Sequence, residues 1–203
     1  MRRAAFLDRD GVINVDHAYV SRFEDFDFID GVLDAARRLV DAGFVLVIVT
    51  NQSGIGRGYY TEADFHKLDQ AVRAVFAEHG APISATYFCP HHPTKALPPW
   101  KCECNCRKPA PGMILQAAKD LDIDLSQSAM FGDKASDMQA AKAAGVAVRV
   151  QLGTDGAADP AEPSPEATHH AKDLLSAVTG PLAELLGQSA QSQGALKKTS
   201  PKA

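Results

Sequence analysis

Phe6-Leu7-Asp8-Arg9-Asp10-Gly11-Val12 closes a short apolar run that begins at Ala4 and ends in two aspartates one residue apart, followed by a glycine. With residues 4–7 as a buried strand, the first carboxylate stands at its carboxyl end, and Gly11 lets the chain turn just beyond. Two carboxylates are thereby crowded at the edge of a sheet. They repel, and a shared proton or a divalent cation relieves the repulsion, which suits a nucleophile or ligand beside an acid/base group. Asp and Gly are also ordinary turn formers, so the same letters fit a plain Asp-rich turn. The rest of the chain decides between the two.

Outward from this stretch, Phe44-Val45-Leu46-Val47-Ile48-Val49 is an unbroken apolar run, the pattern of a strand covered on both faces, and it ends in Thr50-Asn51-Gln52-Ser53. Residues 83–88 read as a third strand, 129–131 as a brief strand ending at Gly132-Asp133-Lys134, and 146–150 as the last. Helices fall between them. Val32, Ala35, Ala36, Leu39 and Val40 recur at helical spacing before Gly43, and Thr61 with Asp64 opens a long amphipathic helix that runs to Gly80. Pro111 starts a helix over 112–121, Ser136 is placed to cap the helix carrying Met138, Ala141 and Ala144, and 173–186 supplies a final one.

This alternation predicts a doubly wound, mostly parallel α/β sheet whose ligand site lies outside the carboxyl ends of the strands. Three such ends carry polar clusters: Asp8 with Asp10, Thr50 with Asn51, and Asp133 with Lys134. Residues so distant in sequence would not fall at one topological position by chance, which argues against the plain turn. The polar and aromatic segment 14–30, with Asp16, His17 and Tyr19, reads as a loop folding over the site. Residues 153–168, rich in Pro, Ala, Glu and Asp, read as an exposed loop, and 188–203 as a disordered tail behind a single domain over 1–187.

Composition narrows the class. A chain of 203 residues with 45% hydrophobic content builds one α/β domain. A net charge of -4 with no long basic run argues against nucleic acid and leaves a small anionic substrate open. No apolar stretch reaches the roughly 18 residues that span a bilayer, and no signal-peptide core is evident, so a cytoplasmic protein without membrane contact is expected, monomeric by default. All four cysteines lie between Cys89 and Cys106. Cys89-Pro90-His91-His92-Pro93 and Cys102-Glu103-Cys104-Asn105-Cys106 offer two groups of soft ligands that suit one tetrahedral zinc. Spacing leaves open which of the last three cysteines bind. A closed set of four ligands makes the metal structural, and Cys106 directly precedes Arg107 and Lys108, so fixing the loop fixes that lysine.

The motifs resemble those of the haloacid dehalogenase (HAD) superfamily: Asp8-Arg9-Asp10-Gly11-Val12, Thr50, Lys108, and Gly132-Asp133-Lys134-Ala135-Ser136-Asp137. The resemblance implies a Rossmann-like HAD fold, here capless, with a zinc-binding loop. It implies that Asp8 attacks phosphorus, that Asp10 exchanges the proton, that Thr50 and Lys108 hold phosphoryl oxygens, and that Mg2+ sits on Asp8, the Asp10 backbone carbonyl and Asp133. Asp137 fits either a carboxylate behind this site or an acid favoured by the helix dipole.

The cysteine and histidine segments, Ile13-Asn14-Val15-Asp16-His17 and Thr50-Asn51-Gln52-Ser53-Gly54-Ile55 resemble, more closely, the D-glycero-D-manno-heptose 1,7-bisphosphate 7-phosphatase family over about residues 4–150. That resemblance implies hydrolysis of the 7-phosphate of a heptose bisphosphate, a step toward nucleotide-activated heptose and lipopolysaccharide core. It implies zinc on Cys89, His91, Cys104 and Cys106. Carried over as substrate contacts are Asp8, Arg9, Asp10, Asp16, His17, Ala18, Tyr19, Thr50, Asn51, Gln52, Ser53, Arg107, Lys108 and Lys134, with Arg107 as reader of the sugar or its other phosphate and as part of the catalytic set. Ala18 stands where the family often has glycine. Histidinol-phosphate phosphatase, an activity of similar zinc-loop relatives, is the second enzyme reading; a non-catalytic zinc module would gain nothing from two intact aspartates.

Overall fold

The computed structural model describes residues 1–153 and 162–184. Strand β1 (Arg3–Leu7) leads through a long loop, with a 3-10 turn at Phe23–Asp25, to α1 (Val32–Asp41) and β2 (Phe44–Asn51). There follow α2 (Ser53–Gly56), α3 (Glu62–Glu78), β3 (Ile83–Cys89), the cysteine loop, α4 (Gly112–Leu121), β4 (Ala129–Gly132), α5 (Ala135–Ala144), β5 (Val148–Leu152), β6 (His169–Ala171) and α6 (Leu174–Thr179). The strands form one sheet in the order β3-β2-β1-β4-β5-β6, and every pair is parallel.

The unbroken apolar runs are divided between two faces by the alternation of a strand. Ala5, Leu7, Leu46 and Ile48 pack on one side with Ala35, Leu39, Phe76 and Leu174. Ala4, Phe6, Val47 and Val49 pack on the other with Met113, Ile114 and Met138. With helices on both faces, neither side of β1 or β2 meets water, which is why polar residues are confined to the strand ends. Phe6 is fully buried, so Phe6→Ala would cost about 3–5 kcal/mol.

The chain order reverses between β1 and β4, and the crevice that this leaves is where an open parallel sheet takes a ligand. Asp8 follows β1 and Asp133 follows β4, in neighbouring, hydrogen-bonded strands. Gly11 turns the chain with φ 89°, and a Cβ there would collide with the Asp133 carboxylate. The glycine is thus required twice, by its backbone angle and by the close approach of the two loops.

Several expectations are corrected. Residues 146 and 147 precede β5, and the sheet has a further strand, β6, too short and too polar to show a period of its own. Gly54 and Gly56 lie within the four-residue helix α2, for which the sequence analysis has no element. Ser136 does not cap α5; the helix starts at Ala135, and the Asp137 carboxylate takes the Lys134 N–H instead. Part of the expected exposed loop is packed, because Ser164 is buried and its N–H donates to the Gln151 side chain on β5. Of the expected helix 173–186, α6 covers Leu174–Thr179, and residues 185–186 lie outside the described residues. The 154–161 part of that loop and the expected tail lie outside the described residues. Among those residues, no helix is long and apolar enough to cross a membrane.

Candidate active site

The ends of β1, β2 and β4, the start of α5 and the loop carrying Lys108 converge on Asp8. Its carboxylate accepts from the Arg9 N–H at 2.7 Å and lies 3.0 Å from the Lys108 amine. Lys108 is itself buried, with its amine 2.6 Å from Asp137 Oδ1 and donating to the Val49 carbonyl at 2.9 Å. Burial opposes a charge on this lysine, but Asp137 and Asp8 outweigh it and raise its pKa. Asp137 answers both readings of its position: one oxygen holds Lys108 while the other caps α5 through the Lys134 N–H.

Negative charge is in excess. Burial, helped by Asp137, Asp133 and Asp10 and opposed by Lys108, pushes the Asp8 pKa up to about 7. Burial also lifts Asp133 to about 6, against the pull of Lys134. Carboxylate oxygens of Asp8, Asp133 and Asp137 lie within 4.8 Å of one another, and Asp133 Oδ1 is buried without a protein partner among the described residues. Such a set fits a hard divalent cation, which would supply the missing positive charge. Asp137 is the least available of the three because Lys108 already occupies it.

Asp10 points elsewhere. Its carboxylate is gripped by the Arg9 guanidinium at 3.0–3.2 Å and receives further hydrogen bonds from Asn14 and Gln52, each at 3.1 Å. Gln52 in turn donates to Thr50 Oγ1 and accepts from the Tyr60 hydroxyl at 2.5 Å. Beside this network opens a cavity of about 230 Å3, lined by Asp10, Asp16, Ala18, Tyr19, Asn51, Gln52, Ser53, Gly54, Tyr60 and Lys134. Ala18 and Tyr19 at its rim have φ 59° and 57°, a conformation that costs free energy in residues other than glycine and tends to occur where a loop has been shaped for function.

The cysteine loop reaches the same site from behind. Cys89 Sγ is 3.7 Å from Cys104 Sγ and 3.3 Å from Cys106 Sγ, and those two are 3.4 Å apart. His91 Nδ1 stands 3.6 Å from Cys89 and 3.4 Å from Cys106. Sulfurs bound to one tetrahedral zinc lie about 3.8 Å apart, so the set needs only slight expansion to hold that ion. Cys102 is outside the cluster. From the loop, Arg107 donates to the His91 carbonyl, and the Asn51 side chain exchanges two hydrogen bonds with the Lys108 backbone.

A HAD-hydrolase-like family model (Hydrolase_like) matches residues 105–177. The D-glycero-beta-D-manno-heptose-1,7-bisphosphate 7-phosphatase of Yersinia pestis is 51% identical over 151 residues, 74% of this chain and 80% of that protein. The D-glycero-alpha-D-manno-heptose-1,7-bisphosphate 7-phosphatase of Burkholderia mallei is 45% identical over 179 residues, 88% of this chain and 95% of that protein. This chain belongs to the heptose-bisphosphate phosphatase family. Among solved structures, the family's D,D-heptose 1,7-bisphosphate phosphatase from B. bronchiseptica, complexed with magnesium and phosphate, superposes with a TM-score of 0.78 at 32% identity, covering 90% of this chain and 99% of that one. A putative HAD-like phosphatase from Mesorhizobium loti gives 0.78 at 34% identity, over 94% and 87%.

Within this family member, the residues singled out from sequence are not equally placed. Asp8, Lys108 and Asp133 meet in the buried floor, Thr50 is buried near the end of β2, and Asp10, Asp16, Ala18, Tyr19, Asn51, Gln52, Ser53 and Lys134 line the cavity. Three expected contacts lie outside that lining. Arg9 turns its side chain inward between Phe26 and Phe65, His17 bonds Asp27 at 2.7 Å, and Arg107 is engaged with His91. The side chains of Asn51 and Gln52 are spent on Lys108, Asp10 and Thr50, so at these positions the site is organised from within. Sequence reasoning missed Asn14, Tyr60, and the rim pair of Tyr59 edge-on to Tyr19 at 4.8 Å, with Arg57 over the Tyr19 ring. The Tyr59-Tyr60 pair directly after Gly58 was the available signal.

Proposed function

We propose that this chain is an Mg2+-dependent phosphatase that removes the 7-phosphate of D-glycero-D-manno-heptose 1,7-bisphosphate through an aspartyl-phosphate on Asp8, feeding nucleotide-activated heptose for lipopolysaccharide core. Half identity to relatives named for that reaction, together with a carboxylate floor short of positive charge, carries the reading. We extend it to a monomer acting in the cytoplasm on a small sugar phosphate.

Asp8 attacks phosphorus while the bond to the sugar oxygen breaks, and Asp10 gives that oxygen its proton. Asp10 then takes a proton from water, whose oxygen displaces Asp8 from phosphorus and restores both carboxylates. Lys108 and Thr50 hold oxygens of the transferring group, Lys108 being already charged and fixed by Asp137. Asp8, Asp133 and the Asp10 main-chain carbonyl would hold Mg2+, which when bound offsets the charge of two approaching anions. Cys89, His91, Cys104 and Cys106 would hold zinc and, through Arg107 and Asn51, steady Lys108.

Phosphate release from the α and β anomers of heptose 1,7-bisphosphate and from histidinol phosphate, with and without Mg2+, tests the reading. The expected result is Mg2+-dependent loss of the 7-phosphate with the 1-phosphate retained, read by phosphorus NMR. A higher kcat/KM on histidinol phosphate would replace the substrate assignment.

A further inference from the structure

The residue between the two aspartates has a place that the reaction scheme does not use. Neighbouring residues of an extended segment point to opposite sides, so Arg9 should face away from Asp10. Instead the turn at Gly11 folds the two together, and the guanidinium grips the Asp10 carboxylate with Nε 3.2 Å from Oδ1 and Nη2 3.0 and 3.1 Å from the two oxygens. Nη2 also donates to the Val20 carbonyl at 2.9 Å. The side chain is 4% exposed. It runs between Phe26 of the loop over the site and Phe65 of α3, with the guanidinium carbon 6.0 Å from each ring centroid. A strongly hydrated point charge on a flexible stem could not be held this way; a planar fork between two rings can.

Resting on the acid/base role given to Asp10 above, we propose that Arg9 is a positioning residue, whose buried, doubly anchored guanidinium aims the Asp10 carboxylate at the leaving-group oxygen. Among the described residues every partner of that carboxylate is a donor, from Arg9, Asn14 and Gln52. Asn14 and Gln52 each supply one hydrogen bond, whereas only Arg9 meets both oxygens and so fixes the carboxylate's plane as well as its place. Val20 and Phe26 thereby tie the loop over the site to the acid/base group through Arg9. A purely structural role, gluing that loop to α3, would make the same contacts but would not distinguish one substrate from another.

The leaving group separates the two. A sugar alkoxide needs a proton as its bond to phosphorus breaks, whereas p-nitrophenolate leaves without one. Arg9→Lys keeps the charge and loses the fork; it should lower kcat/KM for the sugar bisphosphate by about 10²-fold and for p-nitrophenyl phosphate by no more than about 5-fold, the pattern expected of Asp10→Asn itself. In an Asp10→Asn background the Arg9 change should add nothing, because the group it aims is gone. Affinity for inorganic phosphate should stay the same. Equal losses on both esters, multiplicative effects in the double variant, or failure of both Arg9→Lys and Arg9→Met to fold would each overturn the positioning role. If Asp10→Asn costs both esters equally, the acid/base assignment falls, and the role of Arg9 falls with it.

Discussion

The carboxylate floor and the cysteine loop are both clusters of metal-type ligands, built in opposite ways. The loop draws its four candidate ligands from one stretch of chain, and they lie close to the spacing of a tetrahedron; soft and complete, the set would leave no place for a substrate. The floor draws its carboxylates from just beyond β1 and β4 and from α5, holds too much negative charge, and leaves Asp133 Oδ1 unpartnered among the described residues. A closed set stabilises; an open and electrostatically strained one can change its ligands during turnover. In this fold the first serves the second, because Arg107 and Lys108 follow the last cysteine directly and are tied to His91 and Asn51.

Breaking the floor should have the largest effect on rate. Asp8→Asn should lower kcat by about 10⁴-fold or more, as loss of an attacking group does. The same change removes a charge from a buried cluster, so in chelator the variant should melt higher than the parent, which a thermal scan would show; a lower Tm would mean that the charge is not in excess. Lys108→Met should lower kcat by about 10²–10³-fold and cost about 3–5 kcal/mol of stability, since it leaves Asp8 and Asp137 buried without their cation. Activity together with denaturant unfolding checks both parts.

Breaking the loop should act more on stability than on rate. Cys104→Ser should abolish zinc binding, measured by elemental analysis, lower Tm by about 10 °C, and reduce kcat by about 10-fold through the displaced Lys108. Cys102→Ser should leave the zinc content at one per chain. If instead Cys102→Ser empties the site, the choice of ligands is wrong.

The subtlest difference lies in pH. Asp8 and Asp133 have folded-state pKa values raised to about 7 and about 6. Protonation therefore favours the folded state, and the stability that it contributes is lost as pH rises through these values. In the absence of divalent metal, Tm should fall by a few degrees between about pH 5.5 and 7.5. Saturating Mg2+ should flatten that slope, because ionised carboxylates then meet a cation; the loop gives no comparable Mg2+ response. A slope unaffected by Mg2+ would place the ion elsewhere.

Legibility in the sequence followed the range of the interactions. Apolar runs such as 44–49 report two-sided burial, and the strand ends report the site, because both depend on local pattern. Thr61 and Asp64 form the capping box that their spacing announces. β6, whose three residues His169–Ala171 earn their strand pairing only from β5, was silent. Ser136 misled for the same reason: a good cap by type, it was outcompeted by Asp137, whose burial against Gly132 and Lys108 is a tertiary fact.

The amino-acid sequence by itself determined the layered α/β plan, the two aspartates at the first strand end, and the presence of a soft-ligand loop, since periodicity and residue type are properties of short stretches. Only the tertiary structure decided that Arg9 faces Asp10 rather than the cavity, that Asn51 and Gln52 look inward, and that Asp137 shares Lys108 with Asp8. Those choices depend on which buried charges and donors find one another once distant segments pack. In a low-dielectric interior, an unpaired group costs more than a pattern of letters can reveal.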